Sequence, residues 1–318
     1  MHPPVLVIAN RNAAGGRAGR ILPALEEALR SAGLEYSIEH TRAPGHAREL
    51  ALRAREGPSP ILVVGGDGTI HEVATGLLAG TSPDRAGPTL PPLAVLSVGT
   101  GNDFSRMLRS PRGIPAVVRA IKEGTARPFE VGFARWDGGV SHFVNLAGIG
   151  IDAEVLKRRA AFTALRGLPQ YLAALGSALV RYRPVRVRTL SSGPGDGAVR
   201  VEGEVLLAAV TVGPSIGGGF FLSPRARPDD GLLDFFLAEN LGILHVVHYL
   251  PGILRGTLDN APGMHRRQIT QLEILQMEGK PFAFELDGEL MPQETSTLDV
   301  QVQPGALRIL ESPAGDRV

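Results

Sequence analysis

The sequence contains no cysteine, which excludes disulfides, catalytic thiolates and thiolate metal sites. Lysine is scarce as well, occurring only at Lys122, Lys157 and Lys280. No apolar run approaches the roughly 18 residues that a membrane-spanning helix needs. The N-terminus also lacks a charged segment ahead of a long apolar stretch. We therefore expect a cytoplasmic protein, with any membrane contact peripheral and on the inner face.

A strong excess of charge is also missing. The formal net charge of +1 predicts no strong field around the protein, so we expect no nucleic-acid partner. What the chain does contain is 43% hydrophobic and 20% charged residues over 318 positions. This composition and length indicate a globular protein with room for two domains, each with its own apolar core.

The first third of the chain alternates short apolar runs with helical patterns. Strands are predicted at residues 5–9, 36–40, 61–64 and 93–98. Helices are predicted at residues 21–32, 46–55, 70–78 and 114–123. This alternation is typical of an α/β domain of Rossmann-like form, in which a parallel sheet carries helices on both faces.

From about residue 127 the pattern becomes β-rich. Strands are predicted at residues 130–135, 142–147, 185–190, 204–212, 232–237, 270–276, 282–286 and 298–303. One helical segment, residues 152–179, interrupts them. We expect an α/β domain at residues 1–127 and a β-sandwich domain at 128–303, with 304–318 as a segment that could rejoin the first.

A glycine-rich turn, Gly65-Gly66-Asp67-Gly68-Thr69, follows the third predicted strand. Backbone amides of such a turn, with the start of the next helix, form an anion site. Glycine lets the backbone approach a phosphate closely, and Asp67 is placed to hold a magnesium ion beside it. The alternative is an ordinary turn in which Asp67 caps the helix, and the spacing alone does not decide between them.

Other phosphate and nucleotide motifs are excluded. The one Gly-Lys pair, Gly279-Lys280, is followed by proline, so there is no P-loop. The H-R-D and D-F-G motifs of protein kinases are absent. Residues 148–153 fit the dinucleotide pattern G-x-G-x-x-A, but no acidic residue occurs between residues 155 and 195. The acidic partner that a dinucleotide site requires is therefore missing.

A second turn of similar kind occupies residues 96–106, LSVGTGNDFSR. By itself it favours an Asx-capped helix start at Asn102 or Asp103. Two such turns at the carboxyl ends of strands in one sheet instead favour a ligand site, because open α/β sheets bind ligands outside those ends.

These motifs resemble the catalytic domain of the diacylglycerol kinase family, which includes bacterial lipid kinases and sphingosine and ceramide kinases. The first motif, GGDGT followed by IHEV, is more distantly similar to NAD kinases and phosphofructokinases. Matches continue in the family's order through residues 143–153, PDDGLLD at 228–234 and LDGE at 286–289. One departure occurs at residues 10–15, NRNAAG, where the family has N-P-x-[SA]-G.

The resemblance implies an ATP-dependent kinase of a lipid hydroxyl, with diacylglycerol or a related lipid as acceptor and ATP and Mg²⁺ as cofactors. It implies nucleotide contacts from Asn10, Arg11, Asn12, Ala13, Ala14, Thr41, Gly66, Asp67, Gly68, Thr69, Ile70, His71, Glu72, Thr100, Asn102 and Asp103. Arg17 and Arg20 either neutralise phosphate charge or lie on a solvated helix start.

Phosphoryl transfer needs a group that accepts the proton of the attacking hydroxyl. By resemblance this group lies within Asp287-Gly288-Glu289, and Asp287 and Glu289 both remain candidates. The local pattern alone indicates a hairpin closed by Asp287-Gly288, which needs no chemistry. The resemblance also implies a structural magnesium bound by Asp230 and the backbone carbonyls of Arg227 and Leu232, where the local alternative is an Asp-Gly turn.

Residues 157–188 contain eight basic residues and no acidic ones, with apolar residues between them. This favours contact between a lipid kinase and an anionic membrane surface, where its lipid substrate lies. The alternative is a helix packed on the sheet with a solvated basic face. A homodimer stays open, as do two other functions: an NAD kinase-like enzyme, and a non-catalytic nucleotide or lipid sensor.

Overall fold

The computed structural model describes residues 3–84, 89–108, 112–165, 168–195, 197–258 and 261–312. The chain forms two compact units. The first unit comprises Met1–Glu130 with Pro304–Val318, and the second comprises Val131–Gln303.

The first unit contains a parallel sheet with helices on both faces. Its strands are β1 (Val5–Ala9), β2 (Tyr36–His40), β3 (Ile61–Gly65) and β4 (Leu93–Ser97). Its helices are α1 (Ala13–Ser31), α2 (His46–Ala54), α3 (Asp67–Leu77), α4 (Asp103–Met107) and α5 (Ile114–Glu123). The strand order is β4-β3-β1-β2, and each of these pairs is parallel. The predicted Rossmann-like α/β fold is confirmed.

The core of the first unit lies on this sheet. β3 is buried along its whole length, as expected for a strand covered on both faces. Leu22, Leu25 and Leu29 of α1 are buried in one cluster with residues of α5. The helices α2 and α3 pack against each other. The face of α1 that carries these three leucines therefore packs into the core.

Two helices begin earlier than the apolar pattern predicts. α1 spans Ala13–Ser31 instead of beginning at residue 21, but it is kinked at Ala14, Gly15 and Gly16, whose left-handed φ values of 52°, 65° and 84° are not helical, so its regular part begins after Gly16. α3 starts at Asp67 instead of residue 70. The physical reason is that these first turns are polar or glycine-rich, so they contribute little to the apolar periodicity that marks a helix in sequence.

The second unit is mostly antiparallel. Its strands are β5 (Thr125–Trp136), β6 (Gly139–Phe143), β7 (Leu146–Gly150), β8 (Val185–Ser192), β9 (Val199–Thr211), β10 (Leu233–Glu239), β11 (Met264–Ile269), β12 (Gln271–Gln276), β13 (Phe284–Leu286), β14 (Glu289–Leu290) and β15 (Thr297–Glu311). Its helices are α6 (Ile151–Arg159), α7 (Leu168–Leu179) and α8 (Ile243–Arg255). β5 begins and β15 ends within the first unit.

The strand order of the second unit is β14-β13-β7-β9-β8-β12-β15, with β10 between β9 and β11 and β5 paired with β6. The predicted β-rich second domain is confirmed. Several details differ from prediction. Residues 142–147 are not one strand but the end of β6 and the start of β7, and the segment 152–179 is divided between α6 and α7. The helix α8 and the strands β11 and β14 were not predicted. The sequence of β11, MHRRQI, lacks the apolar alternation that marks a half-buried strand.

Candidate active site

The predicted nucleotide residues follow the four parallel strands of the first unit. Asn10 comes after β1, Thr41 after β2, residues 66–72 after β3 and residues 100–103 after β4. Because all four strands run in the same direction, these segments lie at one edge of the sheet. This edge is where an open α/β sheet binds its ligand.

The turn after β3 is built by close backbone packing. A Cβ on Gly65 would lie 2.6 Å from the Cβ and Oγ1 of Thr69, so only glycine fits there. A Cβ on Gly66 would touch the Cα of Gly99 at 3.4 Å, which shows that the two glycine turns meet. A Cβ on Gly68 would meet no atom within 4 Å. The start of α3 therefore faces open space at Gly68, while the N–H groups of Thr69 and Ile70 donate to the carbonyl of Gly66.

Asp67 is the first residue of α3 and does not cap it, because the helix has no side-chain cap. Its Oδ1 instead accepts the backbone N–H of Phe104 in α4 at 3.1 Å. The helix-cap alternative for Asp67 is therefore wrong. The half-buried carboxylate joins the two turns at the N-terminal end of a helix, beside the open space at Gly68.

The turn after β4 is held by Asn102, which has a left-handed φ of 52°. Its Oδ1 accepts the N–H of Gly99 at 2.7 Å, and its Nδ2 donates to the carbonyl of Gly99 at 3.2 Å. Asp103 is buried and forms an ion pair with Arg106. The Asx cap that the sequence favoured is absent, since the Asn102 side chain closes the turn that precedes α4.

The loop after β1 is held by Asn10. Its Nδ2 donates to Thr69 Oγ1 at 3.2 Å, and its Oδ1 accepts the N–H of Asn12 at 3.1 Å. Ala14 takes a left-handed conformation that is uncommon for a residue with a Cβ. A Cβ on Gly16 would meet no atom within 4 Å, so the backbone of this loop also faces open space.

The remaining nucleotide candidates divide by burial. The exposed or half-buried ones are Arg11, Asn12, Ala13, Arg17, Arg20, Thr41 and Thr100. Ile70 and His71 are buried within α3. Glu72 Oε2 accepts the N–H of Ala47 in the first turn of α2 at 3.1 Å. These last three side chains thus support α3 inside the protein, while the glycines present its backbone.

The predicted hairpin at Asp287-Gly288 is present in the second unit, between β13 and β14. Asp287 and Gly288 have φ values of 51° and 83°, as a two-residue hairpin turn requires. The carboxylate of Asp287 accepts the backbone N–H groups of Val144, Asn145 and Leu146, each at 2.8 Å. These bonds hold the segment between β6 and β7, which explains why the predicted single strand is divided.

The two candidate bases therefore differ in their surroundings. Both carboxylate oxygens of Asp287 accept backbone N–H groups. Glu289, two residues on, is exposed at the start of β14. Its side chain has no hydrogen bond or ion pair with another described residue. The structure thus distinguishes a carboxylate that holds the turn, Asp287, from one that is exposed, Glu289.

The candidate metal residues lie in the loop before β10. Asp230 Oδ1 accepts the N–H of Leu232 at 3.1 Å, and its Oδ2 accepts Gln268 Nε2 at 3.2 Å. Arg227 pairs with Asp229 at 3.4 Å. No group of three or more histidine, aspartate or glutamate side chains suited to a metal occurs in the described part of the chain. A cation here would therefore depend on backbone carbonyls as well as on Asp230.

A small apolar cavity of about 70 Å³ lies in the second unit between α7, α8 and the sheet. Its walls include Leu175, Leu207, Phe236, Leu250 and Ile253. The outer face of α8 is apolar too, with Leu244 84% and Val247 58% exposed. No described helix is both long and apolar enough to cross a membrane.

Several of the basic residues in 157–188 are bound to acidic residues. Lys157 pairs with Glu294, Arg158 with Glu154, Arg186 with Glu278 and Arg188 with Glu202. Arg181 and Arg183 are exposed and have no such partner among the described residues. Arg166 lies outside the described residues. The segment 157–188 therefore has fewer basic side chains available to bind a membrane than the sequence implies.

Comparison with known proteins gives consistent results for both units. A family model described as the diacylglycerol kinase catalytic domain matches residues 4–134. A second, described as the YegS C-terminal NAD kinase beta sandwich-like domain, matches residues 145–311.

Relatives cover most or nearly all of the chain. "Probable lipid kinase YegS-like" of Pseudomonas aeruginosa is 33% identical over 316 residues, covering 98% of this chain and 95% of its own length. The diacylglycerol kinase of Bacillus subtilis is 33% identical over 237 residues, 71% of this chain and 70% of its own. A solved diacylglycerol kinase structure from Bacillus anthracis is 23% identical, with a TM-score of 0.71 and coverage of 98% and 97%. At that identity the structural match supports the fold.

Proposed function

Because the chain belongs to the diacylglycerol kinase family of lipid kinases, we propose that it transfers the γ-phosphoryl group of ATP to the hydroxyl of diacylglycerol or a related lipid. The observation that carries the nucleotide half of this proposal is the edge of the first unit. There the N-terminus of α3 and the backbone at Gly16 and Gly68 face open space. Such an edge fits phosphates bound by backbone N–H groups.

In the proposed reaction the lipid hydroxyl oxygen forms a bond to the γ-phosphorus of ATP. The bond from that phosphorus to the β–γ bridging oxygen breaks, and ADP leaves. The proton of the hydroxyl passes to Glu289, whose exposed carboxylate has no competing partner among the described residues. Asp287 keeps the turn in place through its three backbone hydrogen bonds.

A divalent cation at Asp230 fits the local charges. Burial, followed by the nearby charge of Asp230, raises the pKa of Asp234 to about 7. A cation held by Asp230 and the backbone carbonyls of Arg227 and Leu232 would relieve this repulsion. When bound with ATP, Mg²⁺ would neutralise charge on the phosphates.

Replacing Asp230 by Asn tests the cation site. We expect Mg²⁺ to raise the Tm of the wild-type protein, with a stabilisation of about 2.7 kcal/mol when the ion is at 100 times its Kd. The Asp230→Asn variant should lose most of this rise. Asp229→Asn removes the same charge one residue away and serves as the control. Equal Mg²⁺ responses in both variants would place the ion elsewhere.

The lipid side of the proposal rests on the second unit. The cavity between α7 and α8 suits an acyl chain, and the exposed apolar face of α8 suits the lipid phase next to it. Arg181 and Arg183 follow α7 directly and suit anionic headgroups. We propose peripheral contact with a membrane through these groups.

Substituting Arg181 and Arg183 by Gln should weaken binding to vesicles that contain anionic lipid. Each lost cation should weaken the free energy of binding by about 1 kcal/mol, which is on the order of fivefold in vesicle affinity. The matched control is Arg186→Gln with Arg188→Gln, since both of these residues already pair with glutamates. Sedimentation with vesicles measures the change. An equal loss in both double variants would remove the assigned role of Arg181 and Arg183.

Labelled ATP with a panel of acceptors tests the function as a whole. The panel contains diacylglycerol, monoacylglycerol, phosphatidylglycerol, sphingosine, ceramide and NAD, with magnesium present throughout. Labelled phosphatidic acid supports the proposal. A labelled product from NAD alone would favour an NAD kinase-like enzyme. Binding of ATP without any labelled product would favour a non-catalytic sensor.

A further inference from the structure

Two carboxyl groups are buried next to each other beneath the Asp287-Gly288 turn. Asp152, at the start of α6, is 3% exposed, and Glu285, in the middle of β13, is 1% exposed. The charge of Asp152 is close enough to raise the pKa of Glu285. Two buried negative charges in contact would be strongly unfavourable, so the pair requires a compensating proton or cation.

The hydrogen bonds around the pair leave one place for a proton. The hydroxyl of Tyr171 donates to Asp152 Oδ1 at 2.6 Å, and the N–H of Gly288 donates to Glu285 Oε2 at 2.6 Å. Asp152 Oδ2 is buried and receives no hydrogen from another described residue. A Cβ on Gly148 would lie 3.0 Å from Asp152 Oδ2 and 3.2 Å from Glu285 Oε1, so these two oxygens face the same point.

We propose that Asp152 and Glu285 share one proton, carried on Glu285 Oε1 and donated to Asp152 Oδ2, and that this link positions the Asp287-Gly288 turn for catalysis. The positioning role rests on the proposed function. The shared proton does not, because it follows from burial and hydrogen bonding alone. With this proton in place every oxygen of the pair has a hydrogen-bond partner.

The groups that face Glu285 favour its protonated form. Burial raises its pKa well above the usual range, and the negative charges of Asp152 and Asp287 raise it further, against the N–H of Gly288. Tyr171 faces the pair from α7, and burial and Asp152 raise the pKa of this hydroxyl as well. Arg159, at the end of α6, is the cation that acts on Tyr171 and lowers its pKa.

The pair has a mechanical consequence for the hairpin. The turn is held on one side by the three N–H groups that bind Asp287, and on the other by Glu285 through Gly288. Loss of the proton would place two charges in contact and separate Glu285 from Asp152. Gly288 would then lose its anchor, and Glu289 would move with the turn. We therefore expect kcat to fall at high pH while KM for ATP stays unchanged.

The pH dependence of stability follows from the raised pKa of Glu285. A carboxyl whose pKa is higher in the folded state contributes stability that is fully present below its unfolded pKa. This contribution is lost as pH rises towards the folded pKa. The Tm of the wild type should therefore fall as the pH rises above the usual pKa of a glutamate. The fall should be smaller in Glu285→Gln, because the neutral amide donates to Asp152 and accepts from Gly288 without titrating.

Infrared spectroscopy tests the shared proton without reference to activity. We expect the carbonyl band of a protonated carboxylic acid at neutral pH in the wild type. Asp234, whose pKa is raised to about 7, can add a band of its own, so the band of the pair is the one that is lost in Glu285→Gln and kept in both Asp234→Asn and Glu289→Gln. Absence of the band in the wild type would overturn the proposal, even if the protein is an active lipid kinase.

Kinetics test the positioning role. Glu285→Gln should retain the wild-type kcat at neutral pH and keep it at higher pH, where the wild type declines. Glu285→Leu, which removes the anchor of Gly288, should lose at least tenfold in kcat with KM for ATP unchanged. If the band is present but Glu285→Gln and the wild type share one pH profile of kcat, the proton is shared but does not position the turn. If no lipid is phosphorylated at all, the infrared result still decides the shared proton.

Discussion

Glu289→Gln is expected to remove most phosphoryl transfer and leave the fold unchanged. An amide cannot accept the hydroxyl proton, so kcat should fall on the order of 10²–10⁴-fold. Glu289 is exposed and has no side-chain partner among the described residues, so the substitution breaks no contact. Stability should change by no more than about 0.5 kcal/mol. Steady-state rates with labelled ATP and diacylglycerol, together with thermal unfolding, measure both effects.

Asp287→Asn is the matched comparison, because it removes a charge two residues away. Asparagine tolerates the left-handed φ of 51° at this position. Its NH₂ group, however, would replace a carboxylate oxygen that now accepts a backbone N–H, and an NH₂ group cannot accept. The buried N–H would be left without a partner, at a cost of about 1–3 kcal/mol in stability. We therefore expect the main effect of Asp287→Asn to be a loss of stability. Full turnover in Glu289→Gln beside a stable but inactive Asp287→Asn would identify Asp287 as the base instead.

Gly68→Ala is expected to weaken ATP binding without weakening the fold. A Cβ at this position meets no protein atom within 4 Å, so the added methyl group points into the space proposed for the phosphates. Displacing a phosphate by about 1 Å is enough to cost on the order of 10²-fold in kcat/KM. Exchange of glycine for alanine in a helix favours folding by up to about 1 kcal/mol. The Tm should therefore be equal to or above that of the wild type.

Two further alanine variants separate the causes. Gly65→Ala places a Cβ 2.6 Å from the Thr69 side chain, so both the Tm and ATP binding should fall. Gly176→Ala, in α7, meets no atom within 4 Å, so its Tm should be equal to or above that of the wild type and its ATP binding should stay unchanged. Isothermal titration with ATP and thermal unfolding measure the three variants. Normal ATP affinity in Gly68→Ala would show that the phosphates do not lie at the start of α3.

The elements predicted with correct bounds are those whose signal is local. β1 and β2 and the helix α5 begin and end where the apolar pattern places them. The Asp287-Gly288 hairpin was also predicted, because an adjacent Asp-Gly pair favours the two positive φ values that such a turn requires. The early start of α3 was missed because its first turn is made of Asp67, Gly68 and Thr69, which carry no apolar periodicity.

The burial of Glu285 in β13 was not predicted from the sequence. Alternation of Phe284, Glu285 and Leu286 suggests that the glutamate points to solvent. In the structure all three residues are buried, because α6 covers the second face of the strand. The only sequence signal was Asp152, an acidic residue two positions after a buried apolar strand.

The sequence by itself determined the two glycine turns, the order of the motifs and the α/β and β-rich character of the two units. Those properties depend on residues that are neighbours in the chain, where backbone geometry and side-chain periodicity are encoded. Only the tertiary structure distinguished Asp287 from Glu289, because the partners of Asp287 lie 141–143 residues away. The buried pair of Asp152 and Glu285 is likewise a contact between distant segments. No local pattern predicts such contacts, since they arise only when strands and helices pack.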